Sequence, residues 1–141
     1  MASDCVFCDI GAGQLDDDLA VRPSADVYVL PALRQRAANR GHTLVLPVAH
    51  VRNLHDAGPE LLARVMTVAA RLTAAFPRCF GATGSMLFQN NVEPDGSAFH
   101  LHMHVVPRFE DDGFSMPGAA MAEVPRADRL AQASLLRDLL R

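Results

Sequence analysis

The chain has 141 residues, half of them apolar and about a fifth charged, which is enough for one domain with a buried core. Its 13 basic residues, all arginine, face 16 acidic ones; the net charge of −3 excludes a broad basic surface for duplex nucleic acid, though not a localised anion site. The N-terminus lacks the basic start and apolar run of a signal peptide. The most apolar stretch, 61–76, is broken by Arg64 and Arg71, so no membrane contact is expected and the expected location is cytoplasmic. Three cysteines, two of them close together, argue for metal binding over a disulfide framework.

In chain order, Val27-Tyr28-Val29-Leu30 is a short β-rich run stopping at Pro31, and residues 32–40 read as an exposed strand or loop. Gly41-His42-Thr43-Leu44-Val45-Leu46-Pro47 is a strand with punctuation at both ends. His55 has no motif around it and reads as a surface residue. Gly58-Pro59-Glu60 opens a helix whose apolar stripe is Leu61, Val65, Val68, Leu72 and Phe76, with Pro77 expected to end it. Cys79, just beyond, is expected to be a small buried hydrophobe. Residues 85–89 read as a strand and 90–97 as a polar loop, returning directly into the apolar and histidine-bearing run that starts at Phe99. The two strands are expected to pair antiparallel and hold that loop near the histidines. Residues 109–125 read as a surface loop and 126–141 as a terminal amphipathic helix, which makes the class α+β.

The chemistry is concentrated in Phe99-His100-Leu101-His102-Met103-His104-Val105-Val106. Strand side chains alternate, so the three imidazoles share one face about 6.5–7 Å apart, while Leu101, Met103 and Val105 face a core. An apolar strand has no packing reason for such a face; it suits a metal, a phosphate or a covalent intermediate. Cys5 and Cys8 have the Cys-x-x-Cys spacing that lets two thiolates share a tetrahedral ion, with a redox pair or two unrelated thiols as the competing readings.

Residues 100–106 match the signature of the histidine triad (HIT) family, His-x-His-x-His followed by two apolar residues. Upstream, Gly41-His42-Thr43-Leu44-Val45-Leu46-Pro47-Val48-Ala49-His50 resembles the family's Gly-His-x-Leu-Val-x-Pro-x-x-His segment. Cys5-Val6-Phe7-Cys8-Asp9-Ile10 resembles the opening of its zinc-containing bacterial branch. The resemblance implies one HIT domain over 1–141, with a zinc-binding segment at 1–10 and a five-stranded antiparallel sheet carrying a central and a C-terminal helix. A homodimer is implied as well.

The activity implied is nucleotide hydrolysis or transfer at an α-phosphate, through a covalent nucleotidyl-histidine. Dinucleoside polyphosphates and nucleoside phosphoramidates are the implied substrates. The nucleophile maps to His102, with His104 and His42 serving the phosphate. Gln89, Asn90 (or Asn91, if the loop is shifted) and Ser97 map to substrate-binding positions. The ligands of a structural Zn²⁺ map to Cys5, Cys8, His50 and His100. A closed four-ligand site does not imply a metal-activated water.

The chain departs from the family pattern twice. Gly96 stands where many members carry a glutamine, and Arg34 stands where an Asp or Asn would accept from the ribose hydroxyls. Arginine only donates, so Arg34 and Arg36 suit extra phosphates or act as solvated edge charges. Two alternatives remain: a nucleotide-binding or interaction protein of the same fold with little turnover, and a metalloenzyme that uses the triple histidine itself.

Overall fold

Residues 4–91, 99–115 and 123–139 are described in a computed structural model of the chain. The elements are α1 (Val6–Gly11), β1 (Val27–Pro31), β2 (Thr43–Pro47), α2 (Pro59–Phe80), β3 (Gly84–Phe88), β4 (Met103–Arg108) and α3 (Arg126–Leu139). Short 3-10 turns lie at Ala37–Asn39 and Leu54–Asp56. The strands form one antiparallel sheet in the order β1-β2-β4-β3, so the class is α+β as expected.

Four strands form among the described residues, where five were expected. The candidate fifth is reduced to a single bridge in which Val21 and Val29 exchange both backbone hydrogen bonds. Pro23, two residues on, has no N–H to extend the pairing, while the Arg22 guanidinium donates to the Ile10 and Gly11 carbonyls at the end of α1.

Alternation along β1 and β2 sorts the core into two layers. Val27, Val29, Val45, Met103 and Val105 meet Val65, Val68, Ala69 and Phe76 of α2, with Leu61 and Leu72 packed against them. Tyr28, Leu30, Leu44 and Leu46 face the other way, toward Ile10 and Phe7 of the N-terminal segment. The predicted helical stripe is therefore the face α2 buries. On the opposite face of the sheet, Tyr28 donates its hydroxyl to the Phe7 carbonyl at 2.7 Å and pins α1 in place.

Pro77 does not end α2. A proline forfeits only its own donor and crowds one carbonyl; against that, the fully buried Phe76 anchors the last turns and its ring meets Phe80 at 5.4 Å. The helix stops at Gly81, whose left-handed backbone (φ 70°) returns its N–H to the Pro77 carbonyl. Cys79 consequently lies inside the last turn of α2 and is exposed, not buried. The 109–125 loop is irregular where described, over 109–115 and 123–125, and α3 follows as expected.

Gly41, directly before His42, has φ +107°, and a Cβ there would come within 2.6 Å of the Phe80 ring. Gly41→Ala is expected to cost about 1–3 kcal/mol, because the backbone stays strained even if the ring moves aside. Denaturant unfolding of the variant checks this, and an unchanged midpoint would refute it.

Candidate functional site

The three triad histidines are not all on a strand. His100 and His102 lie on the extended segment before β4, and only His104 belongs to the ladder, opposite Leu44 of β2 and Phe88 of β3. They share the sheet face remote from α2, while Leu101, Met103 and Val105 are buried on the other side as expected. Off the strand the rings can approach closely. His102 and His104 have centroids 4.9 Å apart, inside the strand repeat expected for them.

His100 turns to the N-terminal segment. Its Nε2 lies 2.8 Å from the Pro47 carbonyl, which can only accept, so Nε2 carries the proton and Nδ1 keeps its lone pair. That lone pair faces Cys5 Sγ at 3.4 Å and Cys8 Sγ at 3.5 Å, and Cys8 Sγ lies 3.2 Å from His50 Nδ1. The two cysteines are brought together by the first turn of α1, where the Cys5 carbonyl accepts from the Cys8 and Asp9 N–H groups. One donor atom from each of Cys5, Cys8, His50 and His100 lies within 4.8 Å of all the others, a group that can hold a metal ion.

Burial lowers the His100 pKa, against the Pro47 hydrogen bond, and keeps the ring in its neutral, ligating form. Burial, with the Cys5 thiol and Asp9 nearby, pushes the Cys8 thiol up to about 11. Cation binding here therefore releases protons, and falling pH opposes it.

His102 has its tautomer set in the same way. Its Nδ1 donates to the His100 carbonyl at 2.7 Å, which leaves the Nε2 lone pair uncommitted by that bond. Phe7 packs beside the ring at 5.5 Å. His104 Nδ1 lies 2.9 Å from His42 Nε2, and its ring stacks on Phe88 at 4.2 Å and 8°. Burial lowers the His42 pKa, and a single N–H···N bond joins the two rings.

A cavity of about 640 Å³ opens beside His42, with Phe88, Val106 and Phe114 among its walls and Arg34, Arg36 and Asn90 also lining it. Phe114 is held between two guanidinium groups, Arg36 at 4.8 Å and Arg108 at 4.7 Å. Asp112 fixes this corner. Its carboxylate accepts from Arg108 Nε at 2.7 Å and from a terminal Arg108 nitrogen at 2.9 Å. It also accepts from Asn39 Nδ2 and from the Phe109 and Phe114 N–H groups. The Arg108 hydrogen bonds and these backbone donors hold the Asp112 carboxyl well below the usual carboxylate range.

The fold thus gathers the predicted residues into two sets: Cys5, Cys8, His50 and His100, and His102, His104 and His42. Asn90 reaches the cavity. Gln89 does not line it, and its side-chain amide donates to the Asn90 carbonyl instead. Asn91 accepts from the Leu54 N–H and fastens the start of the loop to the 3-10 turn carrying exposed His55. Ser97 and Gly96 lie outside the described residues. Sequence reasoning missed Phe88, Phe114, Asn39 and Asp112. Phe88 was open to discovery, since pairing β3 with β4 sets it opposite His104. The other three come together through a loop with no periodic signal.

Known proteins share this fold. The HIT domain family matches residues 24–111. "Protein hit" of Bacillus subtilis is 36% identical over 119 residues, covering 80% of this chain and 77% of that one. An adenylylsulfatase of Arabidopsis thaliana is 28% identical over 113 residues, covering 79% of this chain and 56% of its own. A zinc-bound histidine triad family protein from Mycobacterium smegmatis superposes with a TM-score of 0.72 at 30% identity, covering 98% of both chains. With the family matched over most of the chain and a relative 36% identical, this chain belongs to the HIT domain family.

Proposed function

We propose that the protein is a nucleotide hydrolase or transferase that cleaves at the α-phosphate of dinucleoside polyphosphates or nucleoside phosphoramidates through a covalent nucleotidyl-His102. The observation that carries this reading is the hydrogen bond from His102 Nδ1 to the His100 carbonyl, which prepares Nε2 as a nucleophile. Attack forms the Nε2–P bond and breaks the P–O or P–N bond to the leaving group, which takes a proton from His104 or solvent. The positive charge gained by the His102 ring is stabilised at Nδ1–H by the same carbonyl. Water then attacks phosphorus, the P–N bond breaks, and the proton lost by water restores His104.

In this reading His42 orients His104 through their shared hydrogen bond, and Phe88 holds the His104 ring flat against it. Asn90 and Ser97 contact the substrate, and Gln89 joins them by exchanging its bond to the Asn90 carbonyl for one to the substrate. The adenylylsulfatase activity named for the Arabidopsis relative is of the same type, cleavage beside an adenylyl phosphorus.

Cys5, Cys8, His50 and His100 hold a structural Zn²⁺ in this proposal. Around a tetrahedral zinc with such ligands, donor–donor edges are about 3.3–3.8 Å. Three observed separations, 3.2, 3.4 and 3.5 Å, suit that figure. The donation from His100 Nε2 to Pro47 is the outer contact a ligating imidazole needs. The metal ties the start of the catalytic segment to α1 and takes no part in the chemistry. A homodimer in the cytoplasm completes the reading; no helix among the described residues is long and apolar enough to cross a membrane.

Brief mixing with a radiolabelled dinucleoside polyphosphate, followed by denaturation, is expected to leave an acid-labile, base-stable label on the peptide bearing His102. Tight binding with no adduct and no turnover would replace this reading with that of a nucleotide-binding protein. Turnover without an adduct, abolished by chelators, would assign the chemistry to metal.

A further inference from the structure

The cavity beside His42 carries a charge pattern that phosphate chemistry at His102 does not use. Two of its lining residues are arginines, Arg34 and Arg36, and none of the described lining residues is acidic, although the chain as a whole is net negative. Arg34 is exposed and forms no ion pair among the described residues. Arg36 is pre-organised: one terminal nitrogen donates to the Gly113 carbonyl at 3.3 Å and the guanidinium stacks on Phe114. That uses one of its five N–H donors and leaves the others available.

Phe114 in turn is fixed by its N–H to Asp112, so the Arg36 platform is tied to β4 through Arg108. Two cations beside aromatic walls, with no acidic residue among the described lining residues and with Asp112 engaged by Arg108, make a place for an anion. At about 640 Å³ the cavity has room for a nucleoside and an added phosphate together.

We infer that Arg34 and Arg36 form a second anion subsite, so that the preferred substrates are nucleotides carrying a phosphate in addition to the one attacked at His102. This rests on the nucleotide reading above and narrows its substrate class. The shared chemistry is a phosphate bound bidentately by guanidinium; it has two sources, the ribose (a 2′- or 3′-phosphate) or the next position of a polyphosphate chain.

The test is equilibrium binding to the intact protein, which does not depend on turnover. Calorimetric titrations with adenosine 5′-monophosphate, adenosine 3′,5′-bisphosphate, adenosine 2′,5′-bisphosphate and adenosine 5′-diphosphate are compared. At least one doubly phosphorylated ligand is expected to bind about tenfold or more tighter than the monophosphate. That preference should shrink as salt rises and fall to about one in Arg34→Ala. A bisphosphate carrying the gain places the anion on the ribose, and the diphosphate carrying it places the anion on the chain. No gain for any of them, or a gain that survives in Arg34→Ala, overturns the subsite while leaving the nucleotide reading intact. If the monophosphate and all three other ligands fail to bind, the nucleotide reading falls and the subsite with it.

Discussion

In the His102→Asn variant, cleavage of a dinucleoside polyphosphate is expected to fall by at least about a thousandfold, with loss of the trapped adduct. Asparagine is the informative replacement. Its side-chain amide can donate to the His100 carbonyl as Nδ1–H does, and it fills part of the space beside Phe7 and His104. His102→Ala removes the same nucleophile but leaves a hole in a buried position, so some of its effect would be structural. The melting temperature of His102→Asn should stay within about 5 °C of the parent, which separates chemistry from folding. Near-normal turnover in this variant would end the covalent mechanism, whatever the binding data show.

Loss of the metal is the second large effect expected. Cys5→Ser, or exhaustive chelation, should lower stability by about 3 kcal/mol and the melting temperature by about 10 °C. The chain should nevertheless remain folded. The layer of Val27, Val45, Val105 and α2 lies apart from the cluster, whereas the four donors join Tyr28, Arg22 and the Ile10 and Phe7 contacts in holding α1.

The pH dependence of this effect has a definite sign. Thiols must lose protons to bind a cation, and burial pushes Cys8 up to about 11, so the metal's contribution weakens as pH falls and grows as pH rises. Metal analysis beside thermal unfolding of parent and variant checks both points. A metal-free parent that melts with Cys5→Ser would remove the cluster from the account.

Much of the fold was readable from period. The i, i+3, i+4 apolar pattern marked α2, and short continuous apolar runs bounded by Pro31 and by Gly41 and Pro47 marked β1 and β2, strands buried on both faces. The reading failed where a local rule met a tertiary one. Pro77 is a helix breaker by itself, yet the burial of Phe76 carries the helix on to Gly81. Among the described residues the fifth strand is reduced to the Val21 bridge, with Pro23, which has no N–H to pair, two residues beyond it. Arg34 and Arg36 read equally well as solvated charges until the structure placed both against one cavity.

The sequence by itself determined which residues have the chemistry. Alternate spacing at 100, 102 and 104, a glycine before His42 and two cysteines three residues apart are local facts, legible because covalent geometry converts spacing into direction. The family resemblance implied that His100 parts from His102 and His104; only the tertiary structure decided which contacts set each ring. His100 is turned to Cys5 and Cys8 by the Pro47 carbonyl, and His102 is set by the carbonyl of His100. The tautomer of each ring depends on an acceptor, and for His100 that acceptor lies far away in the chain. No pattern along the chain can announce it, because a proton's position on imidazole is chosen by whatever carbonyl the fold brings alongside.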